Sequence, residues 1–304
     1  MSKKFHQLID QASQIVFDKE NEIRLAITCF LAGGHLLIED VPGVGKTTLV
    51  QVLGKLIGLQ THRIQFTVDL LPADILGGQI YHPQEQKFQF HQGPLFSQLI
   101  MADELNRASP RTQSALLQAM EEGQVSMDGD NWELPKPFHV IATQNPHQQL
   151  GTFPLPESQL DRFLMSLELH YASKETEIKL FQKDNTRQKF AELTPILSDS
   201  ELLEAQKIVA DIKLSEAVAI YISELLGRTR QVGQTSLPLS TRGGLALVRA
   251  AKAWAFLADR NHVRAEDVQA ILIPVLGHRL GGNHGLRKGR EWARTLQKDT
   301  PVPV

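Results

Sequence analysis

Leu36-Leu37-Ile38-Glu39-Asp40-Val41-Pro42-Gly43-Val44-Gly45-Lys46-Thr47-Thr48 is an apolar run that enters a glycine turn and leaves it through Gly45-Lys46-Thr47. Leu36–Ile38 reads as a buried strand, and Leu49, Val52, Leu53 and Leu56 beyond the turn fall at helical spacing. Strand, glycine turn and helix in that order make a phosphate-binding loop. Successive backbone N–H groups point into one concavity, glycine permits the bend, and the positive end of the helix faces the ligand. Pro42, Gly43, Val44, Gly45, Lys46, Thr47 and Thr48 are therefore the candidate cradle for a nucleoside triphosphate. Lys46 is placed to reach the outer phosphates and the Thr47 hydroxyl to hold Mg²⁺. The generic pattern has glycine where this chain has Asp40, a substitution that a strand end with ordinary φ tolerates. A Gly-Lys-Thr alone would carry little; the strand before it and the helix after it carry the reading.

The other half of such a site lies some fifty residues on. Leu99-Ile100-Met101-Ala102-Asp103-Glu104 is an apolar strand ending in two acids. After a phosphate-binding loop, the first acid, Asp103, holds Mg²⁺ through its waters. The second, Glu104, polarises the attacking water, so the pair points to hydrolysis. Val140-Ile141-Ala142-Thr143 ends in Gln144-Asn145, and an amide at that strand tip can bridge the water and the γ-phosphate. Asn145 before Pro146 also fits a plain turn.

Five apolar runs predict a parallel sheet: His35–Glu39, Arg63–Val68, Gln98–Asp103, His139–Thr143 and Phe163–Leu169. Ser109, Pro110 and Gly123 punctuate a helix over Ser109–Glu122. Two interruptions predict β-hairpins. One lies between Leu70 and Pro94, around the alternating Lys87-Phe88-Gln89-Phe90. The other lies between Gly123 and Pro137, around Asp128-Gly129. From Ser173 onward the pattern turns helical, over Lys174–Lys183, Asp199–Ile212, Glu216–Thr229, Thr241–Ala258 and Ala265–Leu276, with a capping box at Ser198 and Glu201. The expected domains are an α/β nucleotide-binding unit over 1–172 with two hairpin insertions, an all-α lid over 173–276 and a basic terminal segment over 277–304. That last stretch, with Arg279, Arg287, Lys288, Arg290, Arg294 and Lys298, reads as a solvated terminal segment rather than a nucleic-acid-binding tail.

A length of 304 residues with 42% hydrophobic content accommodates one large domain and a smaller one. The net charge of -2 gives no global attraction to nucleic acid or acidic membranes. Cys29 stands alone in an apolar run, where burial is expected of it. No run of about 18 apolar residues predicts a membrane span, and the first ten residues lack a leader's apolar core, so the cytoplasm is the expected location.

The order of these motifs resembles the AAA+ ATPases, and in detail the MoxR family. The resemblance is carried by Glu39–Thr47, Asp69-Leu70-Leu71-Pro72-Ala73-Asp74-Ile75-Leu76-Gly77, Gly93-Pro94-Leu95-Phe96, Ala102–Pro110, Ala142–Pro146 and Phe153–Phe163, and it covers about Val16 to Leu276. The Asp40 departure is usual in that family. The resemblance implies an α/β P-loop AAA+ core with a parallel five-stranded sheet, followed by a small all-α lid. It also implies ATP with Mg²⁺, Lys46 and Thr47 as the P-loop pair, Asp103 and Glu104 as metal-side acid and catalytic base, and Asn145 as γ-phosphate sensor. Arg162 is implied as the finger that one subunit inserts into its neighbour's site, with Arg107 and Arg111 as competitors for that task. Arg242 is implied as a second sensor that reports the γ-phosphate to the lid. The family further implies chaperone-like remodelling of partner proteins by a ring homo-oligomer, expected to be a hexamer, and a partner with a von Willebrand factor A domain. Nucleic acid and membrane insertion are not expected. A DNA-translocating motor, a metal-chelatase motor subunit and a non-hydrolysing scaffold remain the alternatives. One segment departs from the family. Val16-Phe17-Asp18-Lys19 stands where a Val-Gly-Gln near the adenine is usual.

Overall fold

The computed structural model describes residues 1–39, 41, 43–127, 129–145, 151–182, 186–231, 238–300 and 302. Asp40, Pro42, Asp128, Pro146 and Lys183, all named above, lie outside the described residues. Two helices, α1 (Ser2–Ser13) and α2 (Glu20–Leu31), precede β1 (Leu36–Glu39), α3 (Lys46–Ile57) and β2 (Thr61–Gln65). The first insertion follows as α4 (Pro72–Leu76) and the hairpin β3 (Gly77–His82) with β4 (Lys87–Gln92). Then come β5 (Leu99–Asp103), α5 (Pro110–Glu122), the second hairpin β6 (Gln124–Met127) with β7 (Asp130–Glu133), β8 (His139–Gln144), α6 (Glu157–Leu160) and β9 (Met165–Leu167).

The five long-range strands form one parallel sheet in the order β2-β5-β8-β1-β9. Period-2 alternation sends Leu36, Ile38, Met101 and Ile141 to a core shared with Leu49, Val52, Leu53 and Leu56 of α3. Leu37, Ile100, Val140 and Ala142 face the other way, onto Leu116, Leu117 and Met120 of α5. Ser109 caps α5 through the Thr112 N–H, and Gly123 ends it at φ +65°. Both faces being covered is why these strands are continuous apolar runs.

Every expected strand shifts at one limit or both, and the larger differences are in β2 and β9. The ladder of β2 ends at Gln65, although the Phe66 N–H still reaches the Asp103 carbonyl. Phe163 and Leu164 lie before β9, their carbonyls taken by side chains described below.

The helical region consists of α7 (Lys174–Gln182), α8 (Thr186–Glu192), α9 (Asp199–Ala210), α10 (Glu216–Thr229), α11 (Thr241–Leu257), α12 (Ala265–Leu280) and α13 (Gly285–Asp299). The Ser198–Glu201 capping box of α9 is formed. The basic end corrects the expectation of a solvated segment. Leu286, Arg290, Ala293 and Leu296 recur at helical spacing and are buried on α13. Glycines allow its close approach to α12: a Cβ on Gly289 would lie 2.0 Å from the Gly277 carbonyl oxygen.

Candidate functional site

The carboxyl ends of β1, β5 and β8 bring the sequence-predicted residues to one edge of the sheet. The loop after β1 turns through Gly43 and Gly45 at φ +87° and +94°, a backbone region costly for other residues, and the space beyond both is open. Gly45 is the N-cap of α3, so Lys46, Thr47 and Thr48 form the first turn and their N–H groups face the loop's concavity. Lys46 Nζ donates to the Val41 carbonyl at 3.3 Å, folded back over the loop.

Asp103 ends β5, and Glu104 follows it at φ 55°, ψ 45°. That left-handed backbone is rare for glutamate, costs about 1–3 kcal/mol, and swings the side chain out of the strand's line. Thr143 on β8 holds the turn. Its hydroxyl donates to Asp103 Oδ1 at 2.5 Å and accepts the Glu104 N–H at 2.9 Å. The Glu104 carboxylate is gripped on both oxygens. Asn145 Nδ2 donates to Oε1 at 3.1 Å, while Gln65 Nε2 and an Arg107 Nη donate to Oε2, each at 3.0 Å. Arg63 on β2 donates to Asp103 Oδ2 through Nη2 at 2.6 Å and Nε at 3.2 Å. Asp103, Glu104 and Asn145 thus converge as predicted. Arg107, a competitor for the finger role, is ion-paired with Glu104 at 3.0 Å.

Sequence reasoning missed Gln65 and Arg63, which lie on a short edge strand with no motif of their own. It also missed the support beneath the loop. Arg290 of α13, 4% exposed in its side chain, pairs with Glu39 at 3.3 Å and with Glu168 beyond β9. Glu39 is the last strand residue before the loop, so the terminal helix props the phosphate-binding turn from below.

Arg162 and Arg242 lie at the other end of the sheet. Arg162 precedes β9, and the Leu164 N–H donates to the His35 carbonyl ahead of β1. Glu121, at the carboxyl end of α5, pairs with Arg162 at 3.1 Å and with Arg242 at 2.6 Å. Arg242 also faces Asp161 at 3.7 Å. The lid places it beside Arg162, with the length of the sheet between it and the loop.

The segment 16–19 ties the two regions together. Lys19 Nζ donates to the Tyr171 carbonyl at 3.3 Å, and Asp18 accepts the Ser173 N–H and hydroxyl at 2.8 and 2.7 Å. Those Ser173 bonds pull the Asp18 carboxyl down to about 2. Phe17 is half-buried and lines a cleft of about 960 Å³ with Leu180 and Lys189.

The donor set fits Mg²⁺ with a nucleoside triphosphate. Open space lies over the glycines, the Thr47 hydroxyl belongs to the first turn of α3 beside it, and the Asp103 carboxylate ends β5 at the same edge of the sheet. Magnesium in such sites keeps waters and phosphate oxygens as ligands rather than a protein cage.

A five-stranded parallel sheet with this loop after β1, an acid pair at the end of β5 two strands away and a helical lid define the class of AAA+ P-loop ATPases. Comparison with known proteins agrees. The family described as "ATPase family associated with various cellular activities (AAA)" matches residues 35–165, and the "AAA lid domain" matches residues 227–298, a span that includes most of α13. The chain is 41% identical over 272 residues to the uncharacterized protein YeaC of Bacillus subtilis, covering 90% of this chain and 85% of YeaC. It is 36% identical over 281 residues to Chaperone MoxR1 of Mycobacterium tuberculosis, covering 90% and 74%. A solved structure from Cytophaga hutchinsonii, described as a candidate ATPase, superposes with a TM-score of 0.89 at 35% identity over 100% of this chain and 96% of that one. The chain belongs to the MoxR family of AAA+ ATPases.

Proposed function

We propose that this chain hydrolyses ATP with Mg²⁺ at sites completed between the protomers of a ring, and couples the resulting movement to remodelling of partner proteins. The single observation that carries the hydrolytic reading is the Glu104 carboxylate, swung out by its left-handed backbone and held by Asn145 one strand away. When bound, Mg²⁺ neutralises charge on the phosphate oxygens. Lys46 exchanges the Val41 carbonyl for those oxygens, while Thr47 and Asp103 hold the metal side. Asp103 must then leave Arg63. Glu104 accepts the proton of the attacking water at its carboxylate, and Asn145 fixes both the acid and the water.

Arg162 and Arg242 serve a neighbouring protomer's nucleotide. They lie together at the far end of the sheet, and a polyphosphate can take the place of Glu121 as their shared anion. Loss of the γ-phosphate then releases two contacts across the interface at once, which shifts the lid and the neighbour together. We take 1–172 as the nucleotide unit and extend the lid from 173 through α13. Support for chaperone-like work comes from the relative named Chaperone MoxR1, and the family resemblance supports a hexameric ring and a partner with a von Willebrand factor A domain. No described helix is long and apolar enough to cross a membrane, and the cytoplasm is the proposed location. The test is Glu104→Gln, which should bind ATP as the parent does and hydrolyse it about 10²–10⁴-fold more slowly. Hydrolysis at the parental rate would remove Glu104 as the base.

A further inference from the structure

Arg162 sits between a helix of four residues, α6, and the three-residue strand β9. Neither element is long enough to fix a side chain by itself. What fixes this one comes from α12, far along the chain. Arg279 enters from the lid with its side chain 5% exposed, and its five N–H groups meet five oxygens. One Nη donates to the Asp161 carbonyl at 3.2 Å and the Phe163 carbonyl at 2.8 Å, and the other donates to the Leu164 carbonyl at 3.1 Å and to Val275 of its own helix. Nε donates to Asp161 Oδ1 at 2.6 Å.

These acceptors bracket Arg162 on both sides. Asp161, gripped by Arg279 through Oδ1, turns Oδ2 toward Arg242. Arg242 and Arg162 then share Glu121. Three arginines alternate with two acids, and the buried one at the end is the anchor. Burial lowers the Arg279 pKa, and the Asp161 charge opposes that. Lysine, with one point charge and three donors, cannot span this set of carbonyls.

We propose that Arg279 is the positioning residue for the Arg162–Arg242 pair, setting the backbone from which the finger reaches a neighbouring nucleotide. This rests on the reading of Arg162 as a group offered in trans. Stabilising transition-state charge requires placement to well within an ångström, and a shift of that size costs about 10²-fold.

The test uses full-length protein and four variants. Arg279→Gln should bind a fluorescent ATP analogue within about threefold of the parent, because the clamp and the phosphate loop are at opposite ends of the sheet, while its kcat falls about 10²-fold at unchanged KM. Mixed with Lys46→Ala, it should regain turnover, since the Lys46→Ala protomer supplies an intact finger. Mixed with Arg162→Ala, it should regain none, because both have lost the same half of the shared site. Arg162→Ala mixed with Lys46→Ala is the control. No gain in that control removes the trans finger, and the clamp proposal with it. Gain in the control but none for Arg279→Gln with Lys46→Ala, or gain for Arg279→Gln with Arg162→Ala, overturns the clamp alone. If Arg279→Gln fails to fold, Arg279→Lys replaces it, keeping the positive charge opposite Asp161 while losing the span of carbonyl bonds. A folded Arg279→Lys protein with parental kcat overturns the proposal.

Discussion

Lowering the pH from 7 to 5.5 should remove roughly 2–3 kcal/mol of folding stability through His35 and His139 alone. His139 is buried and His35 half-buried beside the amino ends of the strands, and each ring is locked as a neutral tautomer by its neighbours. His35 Nδ1 accepts the Val140 N–H at 3.0 Å, leaving Nε2 to donate to the Met120 carbonyl at 3.2 Å. His139 Nδ1 donates to the Gly34 carbonyl at 2.9 Å, so Nε2 accepts from the Gln206 amide at 3.3 Å. A second proton on either ring would set one N–H against another. Burial pushes His35 down to about 3, with His139 adding to the effect, and burial pushes His139 down to about 4.

Unfolded histidine binds its proton near pH 6.5, so below that value the unfolded chain takes up protons that the folded chain refuses. The stabilisation is complete above pH 6.5 and is lost as pH falls toward 4 and then 3. At pH 5.5 each histidine accounts for a little over 1 kcal/mol relative to pH 7. His278, also held neutral by burial, acts in the same direction. Carboxylates titrate mostly below this window, which isolates the histidines. Urea titrations followed by circular dichroism at both pH values read the loss directly. Equal midpoints and slopes at pH 7 and 5.5 would refute the neutral state of these rings.

Three substitutions extend the account. Gly45→Ala keeps open space for its Cβ but forces φ +94° on alanine, and the expected outcome is about 1–2 kcal/mol of loop strain and weaker nucleotide binding in a fluorescence titration. Thr143→Val leaves the Glu104 N–H and one Asp103 oxygen without their partner, at about 1–3 kcal/mol each, and should lower kcat at least about tenfold with little change in ATP affinity; an unchanged kcat would discard the threonine's role. Arg290→Met breaks a buried ion pair and leaves Glu39 and Glu168 uncompensated, so urea unfolding should show a loss of about 3–5 kcal/mol.

The parts legible in sequence were those whose logic is local. The phosphate loop needs its strand, glycines and helix within thirteen residues, and the Asp103–Glu104 pair is announced by the apolar run before it. Ser109 with Gly123, and Ser198 with Glu201, mark helix ends by themselves. What escaped depends on separation. Arg290 meets Glu39 across 251 residues and Arg279 meets Asp161 across 118, so a stretch rich in arginine reads as solvated until its partners are known. The place of Arg242 beside Arg162 was not legible either, because a motif names a residue without saying which end of the sheet its helix packs against. The β2 residues Arg63 and Gln65 carry no motif, and their role follows only from their register opposite Met101 and Asp103.

Steady-state ATP turnover per protomer, measured over a wide range of protein concentration with Glu104→Gln as the blank, tests the central claim most directly. The account predicts turnover that rises with concentration, as sites are completed between protomers, and vanishes in the blank. Turnover that is flat with concentration and equal to the blank would contradict it.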